Sequence, residues 1–133
     1  MFKIHPQLAK DCVVVAELAV SSVLLSKDAN YPWYILVPRI EAARELHHLS
    51  RDIQHQIYTE SAQLAAAIDK LHSPDKLNIA ALGNMVAQLH IHHIGRYEQD
   101  VAWPAPVWGR VDPAQYSTEL LQQRVEEMAA ELA

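Results

Sequence analysis

A single long amphipathic helix, predicted between two groups of strand-length apolar segments, limits the folds open to this chain. It begins after Ser50, a good N-cap residue, and ends near the segment HSPD at 72–75. Its apolar residues recur at spacings close to multiples of 3.6, at Ile53, Ile57, Leu64, Ile68 and Leu71. Strands before and after such a helix indicate an α+β fold, with helices packed on one face of a mostly antiparallel sheet.

Short apolar segments predict about five strands. The stretch 13–25 is rich in β-branched and aliphatic side chains and predicts two of them, with Ser21 and Ser22 as the turn between them. The other three segments are 33–38, 76–82 and 87–96. The connection between the last two is short, so we expect them to pair as an antiparallel hairpin.

The rest of the chain is predicted to be helical or irregular. About two helical turns are expected over 40–46, and a proline-rich loop over about 100–113. A C-terminal helix is expected over about 114–132, where apolar residues again follow one stripe. No repeat or long linker divides the chain, so residues 1–133 are expected to form a single domain.

Charge and composition narrow the classes of function. The formal net charge is −5, which argues against nucleic acid as the main partner because nucleic-acid-binding proteins usually carry a basic face. The one cysteine, Cys12, cannot form an internal disulfide, and no stretch approaches the roughly 20 apolar residues of a membrane span. The N-terminus lacks a secretion-signal pattern. We therefore expect a cytoplasmic protein with no membrane partner, in which a donor-rich pocket could still hold a small phosphorylated ligand.

Three of the eight histidines lie within QLHIHHI, residues 88–94. In a strand, Gln88, His90 and His92 would share one face, about 6.5–7 Å apart, while His93 would point to the other. Because imidazole has an ordinary pKa of about 6.5, such a row can bind a metal, act as acid and base, or hold an anion that one ring attacks.

A metal site is the least supported of these roles. It would need further ligands, and no Cys, Asp or Glu lies beside the histidines, so we expect no metal and no cofactor. The amides of Asn84 and Gln88 and the backbone N–H groups of the bend at Gly83 suit phosphate oxygens better. A purely structural role also stays open for each histidine, since many histidines are simply satisfied polar residues. We expect that role for His93, which would need a hydrogen-bond partner in the core.

The segment GNMVAQLHIHHIGR, residues 83–96, resembles the signature of the histidine triad (HIT) family of nucleotide hydrolases and transferases. In that signature, histidines alternate with apolar residues on one strand, after a bend that carries Gly and an amide residue. The segments DANYPWYILVPR and WPAPVWG extend the similarity to bacterial members over about residues 5–115. The resemblance implies a HIT-like sheet of about five strands and a nucleotide or nucleotide-conjugate substrate.

The resemblance also implies roles for individual residues. His90 matches the middle histidine, the nucleophile that attacks the α-phosphorus of dinucleoside polyphosphates or nucleoside phosphoramidates and forms a nucleotidyl-histidine. His92 matches the third histidine, which contacts the phosphate. Gln88 stands where the first histidine usually stands and can donate a hydrogen bond but cannot become cationic. Gly83 and Asn84 would bind phosphate. The alternative is a catalytically weak or inactive purine-nucleotide-binding module.

Contacts with the nucleoside are less sharply indicated. Asp28, Asn30 and Asn78 could reach a ribose, although the first two are also ordinary turn residues. Trp108 could stack on a base or pin the proline-rich loop to the body of the protein. Trp33 stands where many relatives have a Gly-His pair, which is a departure next to the nucleoside pocket.

Three further expectations concern assembly and isolated polar residues. Many family members are homodimers that pair their sheets across a two-fold axis, so the resemblance implies a homodimer, with the apolar stripe of the middle helix as a candidate contact surface. Arg96 is expected to pair with a surface carboxylate. His72 is expected to be solvated.

Overall fold

The computed structural model describes all residues from 1 to 133. None of its helices combines the length and the apolar character needed to cross a membrane. In chain order the elements are α1 (Pro6–Asp11), β1 (Cys12–Glu17), β2 (Ser21–Ser26), β3 (Trp33–Pro38), a 3-10 turn (Leu46–His48), α2 (Arg51–His72), β4 (Lys76–Ala80), β5 (Ile91–Arg96) and α3 (Thr118–Leu132).

The five strands form one antiparallel sheet in the order β1-β2-β3-β5-β4. The first three strands follow one another as a meander, and β5 then inserts between β3 and β4. The α+β class and the antiparallel pairing of the last two strands are therefore confirmed. As a result, the segment with the histidines is the strand next to the centre of the sheet, with a partner on each side.

The two long helices, α2 and α3, pack on the same face of the sheet. Ser50 caps α2 as predicted, because its Oγ accepts a hydrogen bond from the N–H of Ile53 at 3.2 Å. The apolar stripe of α2 meets strand residues of that face in a cluster that contains Val23, Leu25, Tyr34, Leu36, Ile57, Leu64, Ile68 and Met128. Each fully buried side chain of this size stabilises the fold by about 1.5–3 kcal/mol. The stripe is thus used within the chain, and the expectation that it contacts a second copy is wrong.

The opposite face of the sheet is covered in part by α1. Leu8 of this short helix packs with Cys12, Leu24, Ile35 and Val37. The sequence pattern did not predict α1, because six residues are too few to show a helical period.

The pairing of β5 fixes which histidine lies on which face. His92 pairs with Ile35 and so lies on the face that α1 partly covers, whereas His93 pairs with Tyr34 and lies on the face packed against α2 and α3. Gly95, on the same strand, donates its N–H to the carbonyl of Pro32 at 2.9 Å, and a Cβ there would lie 2.7 Å from Pro32 Cγ. The backbone of β5 therefore lies against Pro32 at Gly95, closer than a side chain would allow.

Several predicted boundaries differ from the structure. Ser21 and Ser22 are not a turn but the buried start of β2, and the chain reverses over residues 18–20 instead. Ser22 Oγ donates to Glu17 Oε2 at 2.6 Å, so β1 supplies its hydrogen-bond partner across the ladder. Small hydroxyl side chains are common in turns, and this cross-strand partner could not be seen in the local sequence.

The predicted helix over 40–46 is absent, since residues 40–45 form an irregular loop and Leu46 begins the 3-10 turn. The carbonyl of Ala43 in that loop accepts the N–H of Leu89 at 3.0 Å. The loop is thus tied to the segment before β5, and this long-range contact replaces local helical bonds. β5 itself begins at Ile91 rather than at residue 87, and α3 begins at Thr118, capped by Ser117.

Candidate active site

His90 and His92 lie side by side where the chain enters β5. Both residues are about 5% exposed, and their ring centroids are 4.9 Å apart with the planes nearly perpendicular. His90 precedes the first residue of the strand, so strand alternation does not by itself set its direction. Two imidazoles this close and this buried can both contact one small anionic group.

The protonation of His90 follows from its hydrogen bond. Its Nδ1 lies 2.6 Å from the carbonyl oxygen of Gln88, and a carbonyl only accepts, so the proton of the neutral ring is on Nδ1. Nε2 then carries the lone pair. A bend packs against the same ring: a Cβ at Gly83 would lie 3.6 Å from His90 Cε1 and only 2.6 Å from the carbonyl of Val86. The hydrogen bond and the bend therefore fix the orientation of the ring, with Nε2 as the potential nucleophile.

His92 has the opposite arrangement of donor and acceptor. The indole N–H of Trp33 donates to its Nδ1 at 3.0 Å, so the proton of the neutral ring is on Nε2. That Nε2 lies 3.4 Å from the carbonyl of Leu82, a long contact for a hydrogen bond. Burial, and then the neighbouring His90, lower the pKa of His92 to about 4. The ring is consequently a neutral donor near pH 7.

His93 is directed away from this pair. Its Nδ1 donates to the carbonyl of Ile91 at 3.0 Å, and its Nε2 accepts from Ser61 Oγ on α2 at 2.6 Å. Burial lowers the pKa of His93 to about 4. Both ring nitrogens are satisfied inside the core, as a structural histidine requires. No group of three or more His, Cys, Asp or Glu side chains is placed to hold a metal ion.

A cleft of about 140 Å³ opens beside His90. Its walls are Arg44, Glu45, Ala81, Gly83, Asn84, Ala87, Gln88, Leu89 and His90. Pockets for whole drug-sized ligands are usually about 300–1,000 Å³, so this space fits a phosphate-sized group rather than a complete nucleotide. Arg44 was missed in the sequence, because it lies in the loop that was predicted as a helix and no local motif marks it. The hydrogen bond between Leu89 and Ala43 brings this loop to the cleft.

Both polar atoms of the Gln88 side chain form hydrogen bonds with the N-terminal segment. Its Oε1 accepts from the N–H of His5 at 2.9 Å, and its Nε2 donates to the carbonyl of Lys3 at 2.8 Å. The side chain therefore fastens the N-terminal segment beside the cleft, while the backbone carbonyl of the same residue holds His90.

The family assignment rests on sequence and structure together. The HIT domain model matches residues 7–99, which is more than half of the chain. The chain belongs to the HIT family. The resemblance inferred from the histidine segment is confirmed, and the family comprises nucleotide-binding hydrolases and transferases. None of the curated proteins matches this chain.

Solved structures of HIT proteins match nearly the whole chain. A histidine triad protein from Bradyrhizobium japonicum is 40% identical with a TM-score of 0.97, and the match covers 99% of this chain and 98% of that one. One from Marinobacter aquaeolei is 42% identical with a TM-score of 0.92, covering 100% and 99%. A third, from Sinorhizobium meliloti, is 32% identical with a TM-score of 0.94, covering 98% and 96%. The fold expected from the resemblance is thus confirmed over its full extent.

In this HIT protein, the candidate nucleoside residues divide into two groups. Trp108 lies beside the histidine pair, with its ring centroid 5.0 Å from that of His92 and 5.9 Å from that of Trp33. Asp28 and Asn30 instead bind the loop before α3: Asp28 Oδ1 accepts from the N–H of Ala114, and the Asn30 amide donates to the carbonyl of Asp112. The structure brings only the tryptophan next to the histidines.

Asn78 belongs to a buried cluster around Arg96. The guanidinium donates to Asn78 Oδ1 at 2.8 Å and to both carboxylate oxygens of Asp100 at 2.8 and 3.0 Å. It also lies over the rings of Tyr31 and Trp103, with its Cζ 5.6 and 5.7 Å from their centroids. Arg96 does pair with a carboxylate, but the expectation of a surface pair is wrong, because its side chain is 1% exposed and that of Asp100 is 4% exposed.

His72 is also not a solvated residue. Its Nε2 lies 2.8 Å from the hydroxyl of Tyr34, and burial lowers its pKa to about 4, with a smaller contribution from Arg124. The residue sits at the last turn of α2, where the sequence pattern indicated an exposed helix end.

Proposed function

We propose that this chain is a nucleotide hydrolase or nucleotidyl transferase that acts on the α-phosphate of dinucleoside polyphosphates or nucleoside phosphoramidates through His90. The observation that supports it best is the hydrogen bond from His90 Nδ1 to the carbonyl of Gln88. It leaves the lone pair on Nε2, in a buried ring that lines a phosphate-sized cleft. A nucleophile needs this combination of a free nitrogen and a fixed orientation.

In the first step, the lone pair of His90 Nε2 forms a bond to the α-phosphorus as the bond from phosphorus to the leaving group breaks. The leaving group departs with the electron pair and takes a proton from solvent. In the second step, water attacks the same phosphorus and the P–N bond breaks, with its electrons returning to Nε2. One proton of the water is lost to solvent, and a nucleoside monophosphate is released. Another acceptor in place of water makes the reaction a transfer.

The transferring phosphoryl group spreads negative charge over its equatorial oxygens, so donors supply most of the stabilisation. Two kinds of donor line the cleft, the amide of Asn84 with the bend at Gly83 and the guanidinium of Arg44, and a third, the Nε2–H of His92, lies on the ring next to His90. Arg44 is the one full positive charge among the cleft residues. We assign it the charge that a first-position histidine would otherwise bring, because Gln88 is neutral.

Gln88 acts in this proposal through its backbone and not by contacting phosphate with its amide, which is engaged with Lys3 and His5. Trp108 is the candidate base-stacking residue, since its ring is already beside His92. Asp28, Asn30 and Asn78 would have to leave their present partners to bind a ribose, so we give them supporting roles in the fold.

We further propose a homodimer that pairs sheet edges. β4 is an edge strand next to β5, and its Ile79 is 51% exposed. An exposed apolar side chain on an unpaired edge favours strand addition by a second copy. A reducing compartment such as the cytoplasm suits the single free cysteine, Cys12, which is buried.

The test is to mix the purified protein with adenosine 5′-phosphoramidate or a diadenosine polyphosphate, quench early, and measure the intact mass. We expect an added nucleotidyl group and release of AMP with the natural chain and with His55→Asn, which changes an exposed histidine on α2. His90→Asn should bind nucleotide but show neither adduct nor AMP. Full turnover by His90→Asn contradicts the proposal, and binding without turnover by the natural chain supports the binding module instead.

A further inference from the structure

Trp33 connects the central strand of the sheet to one of the two histidines of the site. It is the first residue of β3, and its indole N–H reaches His92 Nδ1 on β5 at 3.0 Å, although 59 residues separate the two in the sequence. The two ring centroids are 5.7 Å apart. This hydrogen bond joins two aromatic rings on the face of the sheet that α1 partly covers.

In this contact Trp33 can only be the donor and His92 only the acceptor. An indole N–H donates and has no lone pair to accept, so it requires an unprotonated Nδ1 on His92. The remaining proton of the neutral ring must therefore be on Nε2. A doubly protonated ring would place two N–H groups against each other, which disfavours the imidazolium form. Trp33 thus selects both the tautomer and the neutral charge state.

The opposite side of the His92 ring is held only loosely. Its Nε2 lies 3.4 Å from the carbonyl of Leu82, beyond the usual range of about 2.7–3.2 Å for an N–H to oxygen hydrogen bond. An anionic oxygen accepts a shorter and stronger bond than a neutral carbonyl does. The Nε2–H of His92 can therefore exchange its present partner for a phosphate oxygen while Trp33 continues to hold Nδ1.

Trp33 is itself fixed by aromatic neighbours. Its ring meets Trp108 edge to face at 5.9 Å between centroids and Tyr31 in a similar way at 6.3 Å. A donor on a packed strand residue costs little reorganisation when substrate binds, which is the condition for effective electrostatic stabilisation.

We propose that Trp33 is a positioning residue that holds His92 as a neutral ring with its only proton on Nε2, directed at the transferring phosphoryl group. This inference rests on the proposed function for its catalytic consequence, but the protonation pattern itself does not depend on turnover. Trp33 touches neither the substrate nor the reacting atoms in this scheme and acts through His92 alone.

Nitrogen-15 NMR of uniformly labelled protein near neutral pH tests the protonation pattern directly. In the natural chain we expect His92 to show a protonated Nε2 and an unprotonated, hydrogen-bonded Nδ1. Trp33→Phe keeps an aromatic ring but removes the donor, so the Nδ1 signal should move to that of a free acceptor. Trp103→Phe is the matched control: it makes the same substitution at a tryptophan that packs on Arg96, and it should leave the Nδ1 signal in place.

Kinetics test the consequence for the reaction. Loss of one positioned hydrogen bond predicts that Trp33→Phe lowers kcat about fivefold to tenfold with a smaller change in KM. Trp33→His, which keeps a ring N–H donor, should restore part of the loss.

The proposal is overturned if His92 of the natural chain carries its proton on Nδ1, or if Trp33→Phe leaves the Nδ1 signal unchanged. The spectrum of the natural chain decides the first point even if a variant fails to fold. Absence of AMP release from the natural chain would refute the proposed function and leave the NMR result to decide the role of Trp33.

Discussion

Replacement of Arg96 by Met should destabilise the protein strongly, because it would leave a buried carboxylate without its partner. The side chains of Arg96 and Asp100 are 1% and 4% exposed, and two hydrogen bonds of 2.8 and 3.0 Å join them. Breaking a buried ion pair from one side typically costs about 3–5 kcal/mol. Domains of this size have total stabilities of about 5–15 kcal/mol, so the variant should be near its unfolding threshold at ambient temperature.

The pH dependence of stability gives a second, independent measure of how strongly the contacts of Asp100 stabilise the fold. Burial tends to raise the pKa of Asp100, but hydrogen bonds from Arg96 and from the N–H groups of Tyr97, Ala102 and Trp103 lower it from 3.8 to about 2. At about 1.4 kcal/mol per pKa unit, the four donors together stabilise the fold by about 2–3 kcal/mol through the ionised carboxylate. Because the pKa in the folded state is the lower one, the stabilisation is present above about pH 4 and is lost as the pH falls from there through about 2.

Urea unfolding followed by circular dichroism at several pH values measures both effects. The matched control is Lys70→Gln, which breaks the exposed pair of Lys70 and Glu131, 70% and 27% exposed, and should cost less than about 1 kcal/mol. Asp100→Asn should remove most of the acid dependence between pH 4 and 2. A cost below about 1 kcal/mol for Arg96→Met, or an unchanged acid limb in Asp100→Asn, would refute the reasoning.

Three further predictions concern the cleft and the sheet edge. Gly83→Ala should lower kcat at least about tenfold, because its Cβ would meet the carbonyl of Val86 at 2.6 Å and move the bend against His90; equal kcat in the two proteins would contradict this. Gln88→Ala removes both bonds to the N-terminal segment and should lower the free energy of unfolding by about 1–2 kcal/mol, with faster hydrogen exchange at residues 3–5; unchanged exchange there would count against it. Ile79→Lys places a charge on the β4 edge and should give a monomer by light scattering, whereas a persistent dimer would point to another surface.

Local patterns predicted the elements that are long or strongly marked. The 22 residues of α2 repeat the helical period several times, and Ser50 marks its start, so the sequence contained redundant information about this helix. The pattern over 40–46 covers about two turns only. In the structure only Ala43 of this stretch is buried, and the hydrogen bond from the N–H of Leu89 to its carbonyl holds it there. A short period cannot distinguish a helix from a loop with one inward-facing residue.

The candidate site was only partly predictable for the same reason. The motif led directly to His90 and His92, which are close together in the sequence. Trp33 and Arg44 come from segments 59 and 46 residues away from these histidines, and neither carries a local signature of its role. The motif put Gln88 beside the histidines, but the direction of its side chain could not be predicted, because the partners of its amide lie more than 80 residues away.

Because His92 and His93 are adjacent on β5, the side chains of this strand do little to fix its register in the sheet, although the site depends on that register. If the strand slid by one residue, an imidazole would still face each side of the sheet, so the pattern of side chains would penalise the slip only weakly. Gly95 supplies the missing penalty, because any side chain brought to its position would meet the ring of Pro32 at 2.7 Å. Gly95 does not line the cleft, yet it keeps His92 and His93 on their own faces of the sheet. In a library of Gly95 variants, we expect the first effect to be on the register of β5 and the effect on activity to follow from it.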